Sequence, residues 1–210
     1  MIKVLIADDH AIVRRGLREI LTETPDILVG GEAATAQEVM QLVHAERWSV
    51  VLLDLSLPGG TGLELLGQIR RDYPALPVLI LTVQPEDQYA VRAIRAGAAG
   101  FLTKESAPEK LIDAVRKVAS GGRYVSPGLA ETLASVLAGD SKKEPHALLS
   151  NREFEVFKML ASGKTVSQVA KDLSLSVKTV STHRTRILDK MGMKTNADLT
   201  QYAMRNRIVE

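Results

Sequence analysis

The chain contains no cysteine, which excludes disulfides, thiolate metal sites and a cysteine nucleophile. It also lacks any apolar run near the ~18 residues that would span a membrane. The opening stretch "MIKVLIADDH" is interrupted by Lys3 and ends in two aspartates, so it does not read as a signal peptide. These absences suit a cytoplasmic protein with no membrane attachment. No Gly-x-Gly-x-x-Gly follows a strand and no phosphate-loop lysine motif occurs, which argues against dinucleotide and P-loop nucleotide chemistry.

What is present is divided in two. Residues 1–121 carry 13 Lys/Arg against 16 Asp/Glu, residues 122–148 carry 3 against 3, and residues 149–210 carry 11 against 6. A basic last part makes a polyanion a candidate partner, although solubility alone can produce such asymmetry.

The first 121 residues alternate short apolar runs with helical patterns. The runs lie at 2–8, 27–33, 50–55, 77–83 and 100–104, rich in Val, Ile and Leu with little polar alternation, as in strands buried on both faces. Between them, Ile12, Leu17, Ile20 and Leu21 mark one helix face; Val39, Met40 and Val43 mark a second; Leu111, Ile112, Val115 and Val118 mark the last. Five strands alternating with helices predict a doubly wound parallel α/β domain. Beyond residue 148 the strand pattern stops. Four short helices follow, with capping boxes predicted at Ser150/Glu153 and Thr165/Gln168, caps at Ser176 and Thr195, and ends at Gly163 and Gly192. Residues 127–138 fit a linker helix, and the polar 139–147 segment reads as flexible.

In an open parallel sheet, ligands bind outside the carboxyl ends of the strands. That edge carries Asp8 and Asp9 after the first strand, Asp54 ending the third, Thr82 ending the fourth and Lys104 ending the fifth. If the first and third strands are neighbours, three carboxylates converge, and a hard divalent cation such as Mg²⁺ relieves their repulsion. Asp54 then reads as a nucleophile that accepts a phosphoryl group, with Lys104 and Thr82 facing the incoming anion. Either member of the Asp8–Asp9 pair alone could equally cap the next helix. An aspartate-nucleophile phosphatase would share this pocket, but no substrate-binding cap interrupts the α/β part, so no enzyme activity is expected.

In the tail, a helix at 166–173, the turn "SLS" and a helix from Val177 have helix-turn-helix spacing. Val177, Val180, Arg184, Ile187, Leu188 and Met191 form one stripe of the second helix. The opposite face carries Lys178, Ser181, Thr182, Thr185, Arg186 and, near its end, Lys190. Short polar side chains suit base edges and cations suit phosphates.

"ADDH", "LLDLSLPGGTG", "LT" and "FLTK" resemble the receiver domain of two-component response regulators, with its flavodoxin-like fold. "LSNREFEV", "VAKDLSLSVKTVSTHRTRIL" and "KMGMKTNADL" resemble the LuxR-type DNA-binding domain, so the whole chain is similar to the NarL/FixJ family. The resemblance implies a phosphorylation-regulated transcription regulator, with a receiver at 1–121, a linker at 122–148 and a helix-turn-helix domain at 149–210. It implies Asp54 as phosphoacceptor, Mg²⁺ held by Asp9, Asp54 and the backbone carbonyl of Ser56, and Asp8 acting through water. Thr82 and Phe101 become a switch pair, although Phe101 also reads simply as core. Ser181, Thr182 and Thr185 take base-facing places, and Lys178, Thr179, His183 and Arg186 phosphate-facing ones. The partners implied are a sensor histidine kinase, a duplex DNA operator and a second copy of the chain on phosphorylation. One departure is Val83, which follows Thr82 where many receivers carry a small residue; it is expected to slow access by small phosphodonors and water.

Overall fold

The computed structural model describes residues 1–58, 61–138 and 144–209, so Gly59 and Gly60 of the "LPGGTG" motif lie outside the described residues, as does 139–143 of the segment expected to be flexible. Two compact units emerge, Met1–Ser135 and Val136–Glu210.

The first unit alternates β1 (Ile2–Ala7), α1 (Ala11–Thr22), β2 (Ile27–Ala33), α2 (Ala36–Ala45), β3 (Val50–Leu53), α3 (Gly62–Asp72), β4 (Val78–Thr82), α4 (Glu86–Arg95), β5 (Gly100–Thr103) and α5 (Ala107–Ala119); α6 (Pro127–Ala138) begins in it and runs past its last residue, Ser135. The strands form one parallel sheet in the order β2-β1-β3-β4-β5, the expected doubly wound topology. The chain steps one way from β1 to β2, then crosses back over β1 to β3 and continues outward to β4 and β5, which places the switch point between β1 and β3.

Helices α1 and α5 cover one face. Their Leu17, Leu21, Leu111, Ala114, Val115 and Val118 pack on Val4, Ile6, Val50, Leu52, Leu79 and Leu81. Two sequence expectations are corrected here. Strand β2 pairs only with β1, so it is an edge strand, and Leu28 is 45% exposed rather than buried. Ile12 is 89% exposed because it sits in the first turn of α1, beyond the rim of the sheet.

The opposite edge is covered by the chain itself. Tyr124 N donates to Ala99 O (2.9 Å) and Phe101 N donates to Tyr124 O (3.1 Å), so residue 124 pairs with β5 as a one-residue strand. Gly100 permits this approach: a Cβ there would lie 2.6 Å from Tyr124 O. Two residues on, Ser126 Oγ accepts from Leu129 N (3.0 Å), capping α6, and donates to Glu86 at the start of α4.

The second unit holds a 3-10 turn (Pro145–Leu148), α7 (Asn151–Ala161), α8 (Val166–Asp172), α9 (Val177–Met191) and α10 (Asn196–Arg205). The predicted caps form at Ser150, Thr165, Ser176 and Thr195, three of them as full capping boxes. Gly163 (φ +88°) and Gly192 (φ +65°) take the left-handed conformation that closes their helices. Residues 144–147 depart from the loose segment read in the sequence. His146 hydrogen-bonds to the Tyr202 hydroxyl (2.8 Å) and joins a ring cluster with Phe154 and Tyr202, which places the 3-10 turn on α7 and α10.

Glu153 ties this unit together. Buried in the first turn of α7, it accepts from Ser150 N (2.8 Å) and from Lys190 Nζ on α9 (2.6 Å). Burial opposes its charge, but Lys190 and Ser150 outweigh burial, so the carboxyl titrates below the usual glutamate range. Its stabilisation is therefore complete above the ordinary glutamate value of about 4.3 and fades as pH falls through the lower folded value. Glu153→Ala, which removes both the cap and the ion pair with Lys190, is expected to cost about 1–2 kcal/mol at pH 7, the scale of a lost cap. Thermal unfolding at pH 7 and pH 3 checks this, with the gap between variant and parent narrowing at the lower pH.

Candidate functional site

The register of β1 against β3, Ala7 opposite Leu53, brings the residues that follow each strand side by side. Asp8 N donates to Ala33 O (3.0 Å) and Asp54 N to Ala7 O (2.9 Å), so both residues continue the ladders at the switch point. On the other flank Lys104 N donates to Thr82 O (2.9 Å), which extends the β4–β5 ladder by one residue. The two pairs meet. Lys104 Nζ lies 2.7 Å from Asp54 Oδ2 and 2.5 Å from Asp8 Oδ2.

Asp8 and Asp54 are each only 1% exposed, which would be prohibitive for two unpaired carboxylates. Backbone and lysine compensate them. Asp54 Oδ1 accepts from Ser56 N (3.1 Å), and Asp8 Oδ1 accepts from His10 N (2.9 Å). Burial opposes the charge of Lys104, but its bonds to Asp54 and then Asp8 hold the ammonium above the ordinary lysine range. Neither aspartate is the cap of the following helix: the N-cap of α1 is His10, which makes no side-chain cap bond.

Asp9 is more open, at the mouth of the pocket. Donor atoms of Asp8, Asp9, His10 and Asp54 all lie within 4.8 Å of one another. Three carboxylates against one ammonium leave two formal negative charges, and an all-oxygen carboxylate set suits a hard divalent cation. The residues therefore fit Mg²⁺. Thr82 is fully buried, its Oγ accepting from Gln84 N (3.3 Å); Phe101 is fully buried in β5; Ser56 is exposed; and Val83 is exposed beside Thr82. His10, not singled out in the sequence, lies at the rim of the pocket with its Nδ1 2.7 Å from Asp9 Oδ1.

The second site is the outer face of α9. Lys178, Thr179, Ser181, Thr182, Thr185 and Arg186 are exposed on it, while Val180, Ile187, Leu188 and Met191 are buried beneath. Three details differ from the sequence reading. Val177 is 51% exposed and not part of the buried stripe, since the first turn of α9 projects past the core. Lys190 is committed to Glu153, and Arg184 to Asn196 Oδ1 (2.6 Å), so each cation braces the unit from within. His183 is half-buried, with Nδ1 lacking a hydrogen-bond partner among the described residues.

A five-stranded parallel sheet with an acidic pocket and lysine at its switch point, followed by a helix-turn-helix unit, defines a class of signal-responsive DNA-binding proteins. The comparisons agree. Residues 4–116 match the response regulator receiver domain, and residues 147–203 match the bacterial regulatory proteins of the luxR family. Response regulator UvrY of Escherichia coli O6:H1 is 37% identical over 207 residues, covering 98% of this chain and 95% of that one. Response regulator GacA of Pseudomonas aeruginosa is 36% identical over 211 residues, covering 100% and 99%. RcsB from Salmonella enterica serovar Typhimurium, solved bound to promoter rprA in the presence of the phosphomimetic BeF₃⁻, is 26% identical with a TM-score of 0.71, covering 96% and 97%. The chain belongs to the response regulators of the NarL/FixJ family, with a receiver domain and a LuxR-type DNA-binding domain. No helix among the described residues is long and apolar enough to cross a membrane.

Proposed function

We propose that a sensor histidine kinase in the cytoplasm delivers a phosphoryl group to Asp54, and that the modified protein dimerises and binds its duplex operator more tightly. The observation that carries this reading is the double contact of Lys104 Nζ with Asp54 Oδ2 and Asp8 Oδ2, a cation poised where a phosphoryl anion would arrive. A carboxylate oxygen of Asp54 attacks phosphorus; the new O–P bond forms as the N–P bond to the donor histidine breaks, its electron pair returning to the imidazole. Lys104 offsets the charge carried onto Asp54. Asp9, Asp54 and the Ser56 carbonyl would hold Mg²⁺ directly and Asp8 through water, and the ion would neutralise charge on the transferring group.

About two negative charges then sit beside Thr82. Its hydroxyl turns to donate to the phosphoryl group, and Phe101 moves into the vacated space. The receiver at 1–121 thus sets a surface that favours a second copy, and the linker at 122–148 joins it to the DNA reader at 149–210. On DNA, Ser181, Thr182 and Thr185 face bases, while Lys178, Thr179, His183 and Arg186 face phosphates. Apart from losing its own phosphoryl group to water, the protein turns over no substrate.

Sedimentation with and without beryllofluoride, beside a DNA-binding titration, tests the coupling. A shift toward dimer together with at least tenfold tighter binding is expected, because two linked copies gain effective concentration on adjacent half-sites. No gain in either measurement, or steady hydrolysis of phosphate esters, would overturn the reading.

A further inference from the structure

We infer that Arg14, itself gripped by Glu32, is a positioning residue for the acidic pocket: it fixes the Asp8–Asp9 peptide and so presents the Asp9 carboxylate to a cation. This role rests on the reading of the pocket as a Mg²⁺ site and deepens it.

Of the three carboxylates, Asp9 is the one that the core does not hold. Asp8 and Asp54 are buried and each touches Lys104, whereas Asp9 lies past the end of β1 and is exposed. Its carboxylate pairs with the His10 ring, which is itself largely exposed and gives little purchase. The backbone must therefore aim it. A peptide unit is planar, so the position of the Asp8 carbonyl sets those of the Asp9 nitrogen and Cα. That carbonyl accepts from Arg14 Nη1 at 2.7 Å. On the other side His10 N donates to Asp8 Oδ1 (2.9 Å), so both peptides that flank Asp9 are tied down.

Arg14 can do this because it is held as well as holding. Its Nε donates to Glu32 Oε2 on β2 (3.1 Å) while Nη1 reaches Asp8 O, a span that uses the fixed fork of the guanidinium. Glu32 stands opposite Ile6 in the β1–β2 register. Arg18 Nε, one turn further along α1, donates to its other oxygen (2.7 Å). Burial opposes the charge of Glu32, but its bonds to Arg18 and then Arg14 keep the carboxyl below the usual glutamate range. The Arg14 and Glu32 side chains are 17% and 23% exposed, so water screens this pair far less than the exposed Arg15–Glu19 pair on the same helix.

Positioning and simple charge predict opposite signs. Arg14 is a cation beside a cation site, so deleting its charge alone would tighten Mg²⁺ binding. Losing its hold on the Asp8–Asp9 peptide should instead weaken binding about tenfold or more, as for other groups that orient a metal ligand.

The test uses the full-length parent, Arg14→Gln, Arg14→Lys, Glu32→Gln and a variant carrying both Arg14→Gln and Glu32→Gln. Unfolding is followed by Trp48, the single tryptophan of the chain. The melting temperature without Mg²⁺ reports the fold, and its rise with Mg²⁺ concentration reports affinity. Arg14→Gln and Arg14→Lys are each expected to bind Mg²⁺ about tenfold or more weakly, since one ammonium does not span Asp8 O and Glu32 as the fork does. Glu32→Gln should weaken binding through the same residue, so the combined variant should be no weaker than Arg14→Gln. With a small-molecule phosphodonor, the Mg²⁺ concentration giving half the maximal rate should rise in step, while the rate at saturating Mg²⁺ stays near the parent's. Tighter binding in Arg14→Gln, or a lowered melting temperature with unchanged affinity, overturns the positioning role; if Arg14→Gln does not fold, Arg14→Lys decides by the same readings. A combined variant weaker than Arg14→Gln overturns the link through Glu32. A parent that binds no Mg²⁺ defeats the cation-site reading itself.

Discussion

Given a small-molecule phosphodonor and Mg²⁺, the protein is expected to gain the mass of one phosphoryl group, and Asp54→Asn to gain none. The carboxylate is buried at the switch point with one oxygen on Ser56 N and the other on Lys104, so it is both shielded and aimed. Asparagine keeps the shape but replaces an anionic oxygen with an amide, which is no nucleophile. Lys104→Met tests the other half of the pair. It leaves Asp8 and Asp54 without their ammonium, and removal of one charge-stabilising donor from such a site costs about 100-fold or more in rate. Intact-mass kinetics on the three proteins measure both effects. Equal uptake by the parent and Asp54→Asn would assign the phosphoryl group elsewhere.

The second large effect concerns α9. Lys178→Ala and Arg186→Ala are each expected to weaken binding to all duplex sequences and to reduce the log–log salt slope by about 0.9, the value for one lost phosphate contact. Thr182→Ala should behave differently. Its hydroxyl donates to Lys178 O (3.0 Å) and the residue is exposed, so the oxygen keeps a lone pair to accept with, and its loss should relax preference at one base pair by about 1–3 kcal/mol. Titrations on an operator and on scrambled duplex, each at several salt concentrations, separate the two behaviours. A salt slope left unchanged by Lys178→Ala together with an altered sequence preference would reverse the division of roles.

Much of the pocket was legible because it depends on chain order. Once strands alternate with helices and all run parallel, the residues that follow them must share one edge, and Asp8, Asp54, Thr82 and Lys104 follow from that alone. Caps were legible for a similar reason: Ser150, Thr165, Ser176 and Thr195 act within four residues of themselves. What escaped was set by partners distant in sequence. Lys190 looked like a free cation on a polar face until α7 placed Glu153 against it, 37 residues away. Val177 and Ile12 kept helical periodicity but fell in first turns that overhang their cores, where periodicity no longer reports burial. His146 lay in a polar, proline-containing stretch that suggested a tether, and only the fold brings Tyr202, 56 residues on, within reach.

The pairing of Tyr124 with β5 affects how the two halves can be recombined. A domain swap that treats such regulators as interchangeable cassettes would splice them just after α5. In this chain a junction at residue 121 would strip the cover from Ala99 O and Phe101 N and remove Ser126 from Glu86. It would leave a bare sheet edge, open to pairing with any other extended chain. A cassette that stays soluble has to carry the one-residue strand and the first turn of α6 with it, so the minimal exchangeable unit is longer than the receiver motif that defines it.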